Sequence, residues 1–185
     1  LEHSPFDLEE VEPHFYRLIN KKPFEDWQNK RVELPASDIE IERQFLPETV
    51  LEFNGDGEFR SVISVFISFS GVDNHELLDE FANIVLEKIN NFSGYFKEID
   101  FGDKGGVMAC FFGAPVSFEN GVDRALEFIC NIDEESARLQ REQGLRIRIG
   151  MSIGTAYAGF VGGVERCQYA VVGNQVNLAA RIMMY

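Results

Sequence analysis

From residue 58 onward the apolar positions fall into runs whose spacing changes segment by segment, and each spacing predicts an element. Residues 61–69, Ser-Val-Ile-Ser-Val-Phe-Ile-Ser-Phe, are β-branched and aromatic, which favours a buried strand over a helix of that length. Asp73 or Asn74 then supplies a helix cap. The following apolar positions Leu77, Leu78, Phe81, Ile84, Val85 and Ile89 recur at three- and four-residue steps and give one buried stripe. Residues 94–101 and 107–112 bracket Gly102-Asp103-Lys104-Gly105-Gly106, the signature of a hairpin. A second helix is expected over 119–143, with Val122, Leu126, Ile129 and Ile132 inward and Gly144 as its stop. Two strands, 146–153 and 155–161, are expected on either side of Gly154, then a short strand at 169–172 and a last helix opened by Gly173-Asn174.

The order strand, helix, strand, strand, helix, strand, strand, helix predicts an α+β fold. It corresponds to a ferredoxin-like sandwich with a mainly antiparallel sheet and helices packed on it. Residues 1–57 differ in character. They are acidic, hold five of the six prolines and sustain no period, so they read as a linker or N-terminal extension. Helical patches at 8–19 and a segment at 45–53 are the parts of it able to dock. The globular domain is expected to span 58–185.

Composition narrows the function. A net charge of −14 with no long basic run opposes a nucleic-acid partner and leaves even a triphosphate dependent on cations or a partner surface for its positive field. The three cysteines, Cys110, Cys130 and Cys167, have neither disulfide-framework nor zinc spacing. No apolar run approaches the ~20 residues that span a bilayer, and the start is not a signal peptide, so no direct membrane insertion and a cytoplasmic location are expected.

The chemistry concentrates near the end of the chain. In the run Gly154-Thr-Ala-Tyr-Ala-Gly159-Phe-Val-Gly162 … Gln168-Tyr169-Ala170-Val171-Val172-Gly173-Asn-Gln-Val-Asn177-Leu-Ala-Ala-Arg181, Asn177 and Arg181 stand four apart on the last helix and project from one face. Alone, such a pair is an ordinary helix surface. The whole run, however, resembles the signature of class III adenylate and guanylate cyclases. That resemblance implies that Asn177 orients the ribose and Arg181 stabilises the phosphate as the 3′-hydroxyl attacks. It further implies base recognition by Lys97 with main chain beside Val171, Lys104 being a weaker substitute. An ammonium can donate to a purine ring nitrogen. Ala170 stands where a hydrogen-bonding side chain is often found.

Two departures matter. The segment 64–71 resembles the family strand Phe-x-Asp-Ile-x-Gly, but Ser68 replaces the aspartate, and a hydroxyl brings no charge to a hard cation. The hairpin Asp103 resembles the second metal aspartate at a shifted spacing and is a weak metal candidate. Two-metal catalysis needs a paired carboxylate clamp.

Together these imply the complementary half of a two-domain site, most like the second domain of soluble-type adenylate cyclase, with final strands expected beyond Tyr185. Its substrate would be ATP and its Mg²⁺ would be held by a second cyclase domain, encoded upstream in the same polypeptide; a homodimer in isolation is also open. The alternative is a degenerate, non-catalytic cyclase-like module that binds a nucleotide or anion, or dimerises, and regulates a partner.

Overall fold

A computed structural model describes residues 6–21, 39–102, 105–163 and 166–185. Two compact units divide the chain, Leu1–Asp38 and Ile39–Tyr185. In the first, strands β1 (Phe6–Glu12) and β2 (Phe15–Lys21) form an antiparallel hairpin around Pro13-His14. Residues 8–19 are therefore strand and turn, where a helical patch was expected. Leu8 and Val11 keep a three-residue helical spacing, but they lie on a strand whose register shifts twice, and His14 takes a left-handed φ of 69° that reverses the chain.

The second unit begins with two short helices, α1 (Ile39–Phe45) and α2 (Glu48–Leu51). It continues as β3 (Glu58–Ser70), α3 (His75–Asn91), β4 (Tyr95–Gly102), β5 (Gly105–Phe112), α4 (Gly121–Glu142), β6 (Arg146–Gly162), β7 (Cys167–Val172) and α5 (Asn174–Met183). The five strands order as β4-β5-β3-β6-β7, every neighbouring pair antiparallel. The expected α+β architecture, an antiparallel sheet with helices upon it, is the observed one. Among the described residues no helix is long and apolar enough to cross a membrane.

Alternation along β3 separates the two faces of the sheet. Ile63, Val65, Ile67 and Phe69 enter a core with Leu77, Phe81, Val85 and Ile89 of α3 and Ala125, Phe128, Ile132 and Leu139 of α4. Asn74 starts α3, its side chain accepting the Leu77 N–H at 2.8 Å, a cap worth about 1 kcal/mol. On α4 the expected Ile132 is buried and Ile129 is partly buried against the core, but in the first turns the stripe runs one position away from the expected one. Val122 and Leu126 are exposed, while Ala125 and Phe128 are buried. Both stripes have helical spacing, and the large Phe128 and Leu139 set the phase.

The opposite face receives α5. Gly150, Ser152 and Gly154 lie on that face of β6, and a Cβ at Gly150 would come within 2.3 Å of the Ala179 carbonyl and the Met183 nitrogen. Ser152 Oγ donates to the Gln175 carbonyl at 2.6 Å. Gly154 does not break the strand: β6 is continuous over 17 residues, and a Cβ there would instead strike Gln175.

Candidate functional site

On the α5 face the sheet curls until its two edges meet. Four inter-strand spacings would separate β4 from β7 by about 19 Å in a flat sheet. Instead the Tyr95 ring of β4 lies edge-on to the Tyr169 ring of β7, centroids 5.5 Å apart. Phe53 and Phe160 complete the aromatic cluster, both edge-on to Tyr169 at 5.2 and 5.8 Å. Val50 of α2 is buried beneath it, so the 39–57 segment contributes core to this unit.

Between the joined edges lies a cavity of about 210 Å³, lined by Leu46, Val50, Tyr95, Lys97, Glu98, Phe160 and residues 167–169. That is less than the roughly 300–1,000 Å³ of pockets that enclose whole small molecules, so it suits one ring system of a larger ligand. Lys97 has its ammonium paired with the Glu98 carboxylate, the two side chains 19% and 56% exposed. Burial pushes the Tyr95 hydroxyl up to about 12, with the charges of Tyr169 and Glu98 adding to the shift. Burial also pushes the Tyr169 hydroxyl up. The Arg60 guanidinium opposes that shift, yet Tyr169 Oη has no well-formed hydrogen bond among the described residues.

Of the residues singled out from the sequence, Lys97 lines this cavity; Val171 is buried in the strand two residues past Tyr169. Ala170 is buried as well. Asn177 and Arg181 sit on α5, which leaves β7 through Gly173; both are exposed, and Arg181 makes no ion pair among the described residues. They do not line the cavity. Asp103 and Lys104 lie outside the described residues. Glu98 was not singled out, because spacing along a strand assigns it to the face opposite Lys97.

Ser68 occupies a second cleft, about 690 Å³, on the same face toward the hairpin end of the sheet. A single row of paired residues crosses four strands here: Asp100, Val107, Ser68 and Arg148. Arg146 also lines the cleft, and Arg148 Nη1 donates to the Met184 carbonyl at 3.3 Å. One carboxylate, Asp100, and the hydroxyls of Ser68 and Ser70 beside two guanidinium groups do not fit a pair of divalent cations, since each cation needs several anionic or carbonyl oxygens. Among the described residues no three His, Cys, Asp or Glu side chains gather as a metal site.

With this geometry in hand, three kinds of similarity converge. The sequence profile described as the adenylate and guanylate cyclase catalytic domain matches residues 105–184. Adenylate cyclase type 10 of Homo sapiens is 32% identical over 136 residues, 69% of this chain and 8% of that protein. The Rattus norvegicus protein of the same name is 28% identical over 166 residues, 80% of this chain and 10% of that one. The chain thus spans a tenth or less of these curated relatives.

Among solved structures, the adenylyl cyclase CyaB from P. aeruginosa superposes with a TM-score of 0.63 at 19% identity, covering 70% of this chain and 74% of that one. The guanylyl cyclase Cya2 gives 0.55 at 26% identity, covering 71% and 73%. A mainly antiparallel sheet with this helix order, a terminal run carrying Asn177 and Arg181, and these sequence and structural relatives lead to one assignment: the chain belongs to the adenylate and guanylate cyclase catalytic-domain family, the class III nucleotidyl cyclases.

Proposed function

We propose that this chain is the complementary half of an adenylate cyclase site, completing catalysis when paired with a metal-bearing cyclase domain. In that role the ribose 3′-oxygen attacks the α-phosphorus of ATP in line. The new O3′–P bond forms as the bond to the β-phosphate oxygen breaks, giving cyclic AMP and pyrophosphate. Lys97 holds the base and Asn177 the ribose. Arg181 meets the charge that grows on the α-phosphoryl oxygens, a fixed guanidinium requiring no reorganisation at the moment of reaction. The divalent cations, Mg²⁺ in this proposal, fall to the partner, because Ser68 and the two arginines do not suit them.

The observation that carries this reading is the exposed pair Asn177 and Arg181, one helical turn apart on α5, with Arg181 in no ion pair among the described residues of a chain of net charge −14. A surface guanidinium in so acidic a chain has carboxylates in plenty, yet among the described residues this one forms no ion pair. The relatives named adenylate cyclase favour ATP over GTP as substrate. A second reading, a non-catalytic module that binds a nucleotide or anion for regulation, draws on Ser68 and on the Arg146–Arg148 cleft.

Reconstitution decides between them. This chain is combined with a class III domain that carries both metal aspartates, and cyclic AMP is measured with ATP and Mg²⁺. Each half alone is expected to be nearly inactive and the mixture active. Arg181→Ala should lower turnover by at least about a hundredfold, the scale for loss of one preorganised transition-state donor. A mixture that stays inactive favours the regulatory module, and an active mixture in which Arg181→Ala costs less than about tenfold removes the transition-state role.

A further inference from the structure

The cavity between the joined sheet edges has a feature that strand alternation forbids: the neighbours Lys97 and Glu98 both line it. Successive side chains of a strand point to opposite faces. Tyr95 and Phe96 obey this rule, Tyr95 pairing with Phe111 on the cavity side and Phe96 with Cys110 on the helix side. The next paired residue is Glu98, opposite Ala109, and Lys97 between them has no partner across the ladder. This is a β-bulge, an extra residue that re-aims the side chains after it. It brings Glu98 onto the face of Tyr95, and the Lys97 ammonium closes against the Glu98 carboxylate at the cavity wall.

The bulge therefore builds a two-point edge. An ammonium offers donors only and a carboxylate acceptors only. Adenine presents ring N1, an acceptor, beside its exocyclic amine, a donor. Guanine presents the reverse, N1–H beside O6. On β7, Ala170 is buried and has no polar atom beyond its backbone, so its side chain offers the amine no acceptor.

We infer that Glu98 is a specificity-determining residue: its carboxylate accepts the exocyclic amine of adenine while Lys97 donates to the ring nitrogen, and the pair rejects guanine. This rests on the reading that the cavity takes the purine base. Against guanine both contacts invert, carboxylate facing O6 and ammonium facing N1–H, and mispaired polar groups discriminate far more strongly than lost apolar contact. The buried Tyr169 hydroxyl on the same wall, still without a well-formed partner, is further sign of a wall prepared for a polar ligand.

The test is nucleotide titration of the full chain with ATP and with GTP, followed by chemical-shift changes of the β4 and β7 amides. The wild-type chain should prefer ATP by at least about tenfold. Glu98→Gln should bring the two affinities within about threefold, since a carboxamide presents either an oxygen or an NH₂ group to either base. Glu98 is more than half exposed, so this isosteric change leaves the fold intact. A merely structural role would weaken both nucleotides together and leave their ratio alone. An unchanged ratio in Glu98→Gln, or a wild type without preference, overturns the inference while the base site stands. If neither nucleotide shifts these amides at millimolar concentration, or if Lys97→Ala binds ATP as the wild type does, the base-site reading fails and the inference with it.

Discussion

The two faces of the sheet are built from the same strands and to different rules. On the α3–α4 face Ile63, Val65, Ile67 and Phe69 of β3 are apolar and buried, and Phe81, Phe128, Ile132 and Leu139 pack against them fully buried. On the other face Val62, Ser64, Phe66 and Ser68 alternate with those positions, and β6 offers Gly150, Ser152 and Gly154. The first face is filled to stabilise. The second is opened by the small residues of β6, and that is where α5 and both clefts lie. The filled core and the clefted face are thus separated by the two-residue period of a strand.

That contrast can be broken most sharply on the filled face. Phe128→Ala empties a fully buried ring site and should cost about 3–5 kcal/mol, a large share of the ~5–15 kcal/mol that holds a domain together. Urea unfolding measures it, and a loss below about 1 kcal/mol would show that this face is not the main core. On the small face, Gly150→Ala should cost about 1–3 kcal/mol through overpacking, with the damage confined to α5. Hydrogen exchange should show α5 amides losing protection while α3 and α4 keep theirs. Equal loss in all three helices would deny the separation of the faces.

Smaller effects sharpen the picture. Asn74→Ala removes the α3 cap and should lower stability by about 1 kcal/mol without altering nucleotide binding on the far face. Tyr95 tests the joined edges by pH. Its hydroxyl is neutral in the fold up to about 12 but titrates near 10 when unfolded, so the unfolded state binds fewer protons in that window. Stability from this group is complete below pH 10 and is lost as pH rises from 10 through 12. Tyr95→Phe should flatten that part of a urea-midpoint profile, and an unaltered slope would place the ring in water.

Much of this was legible from residue order. Most of the helix–strand sequence from residue 58 onward follows from spacing, because β3 is β-branched where α3 is periodic at three and four; the continuity of β6 through Gly154 and the helices α1 and α2 do not. The terminal run carrying Asn177 and Arg181 pointed to the family before any geometry. The phase of the first turns of α4 was not legible, since two stripes one residue apart both satisfy a helical period and only packing chooses between them. The 6–21 hairpin was missed because register shifts blur its alternation. Glu98 was hidden for a related reason: pairing, rather than composition, determines that β4 bulges at Lys97. The meeting of Tyr95 with Tyr169 depends on sheet curl, which accumulates over five strands and leaves no mark on any one of them.

The three small residues of β6 carry a consequence for how such a domain decays. The aim of Arg181 is set by how near α5 can approach, and that distance is fixed by side chains that are absent at Gly150 and Gly154. A methyl group gained there would push α5 away from the sheet, and Arg181 with it, without altering any polar side chain. In descendants of this chain the role proposed for Arg181 would therefore be open to loss through growth in the floor beneath the helix, before any polar residue changed.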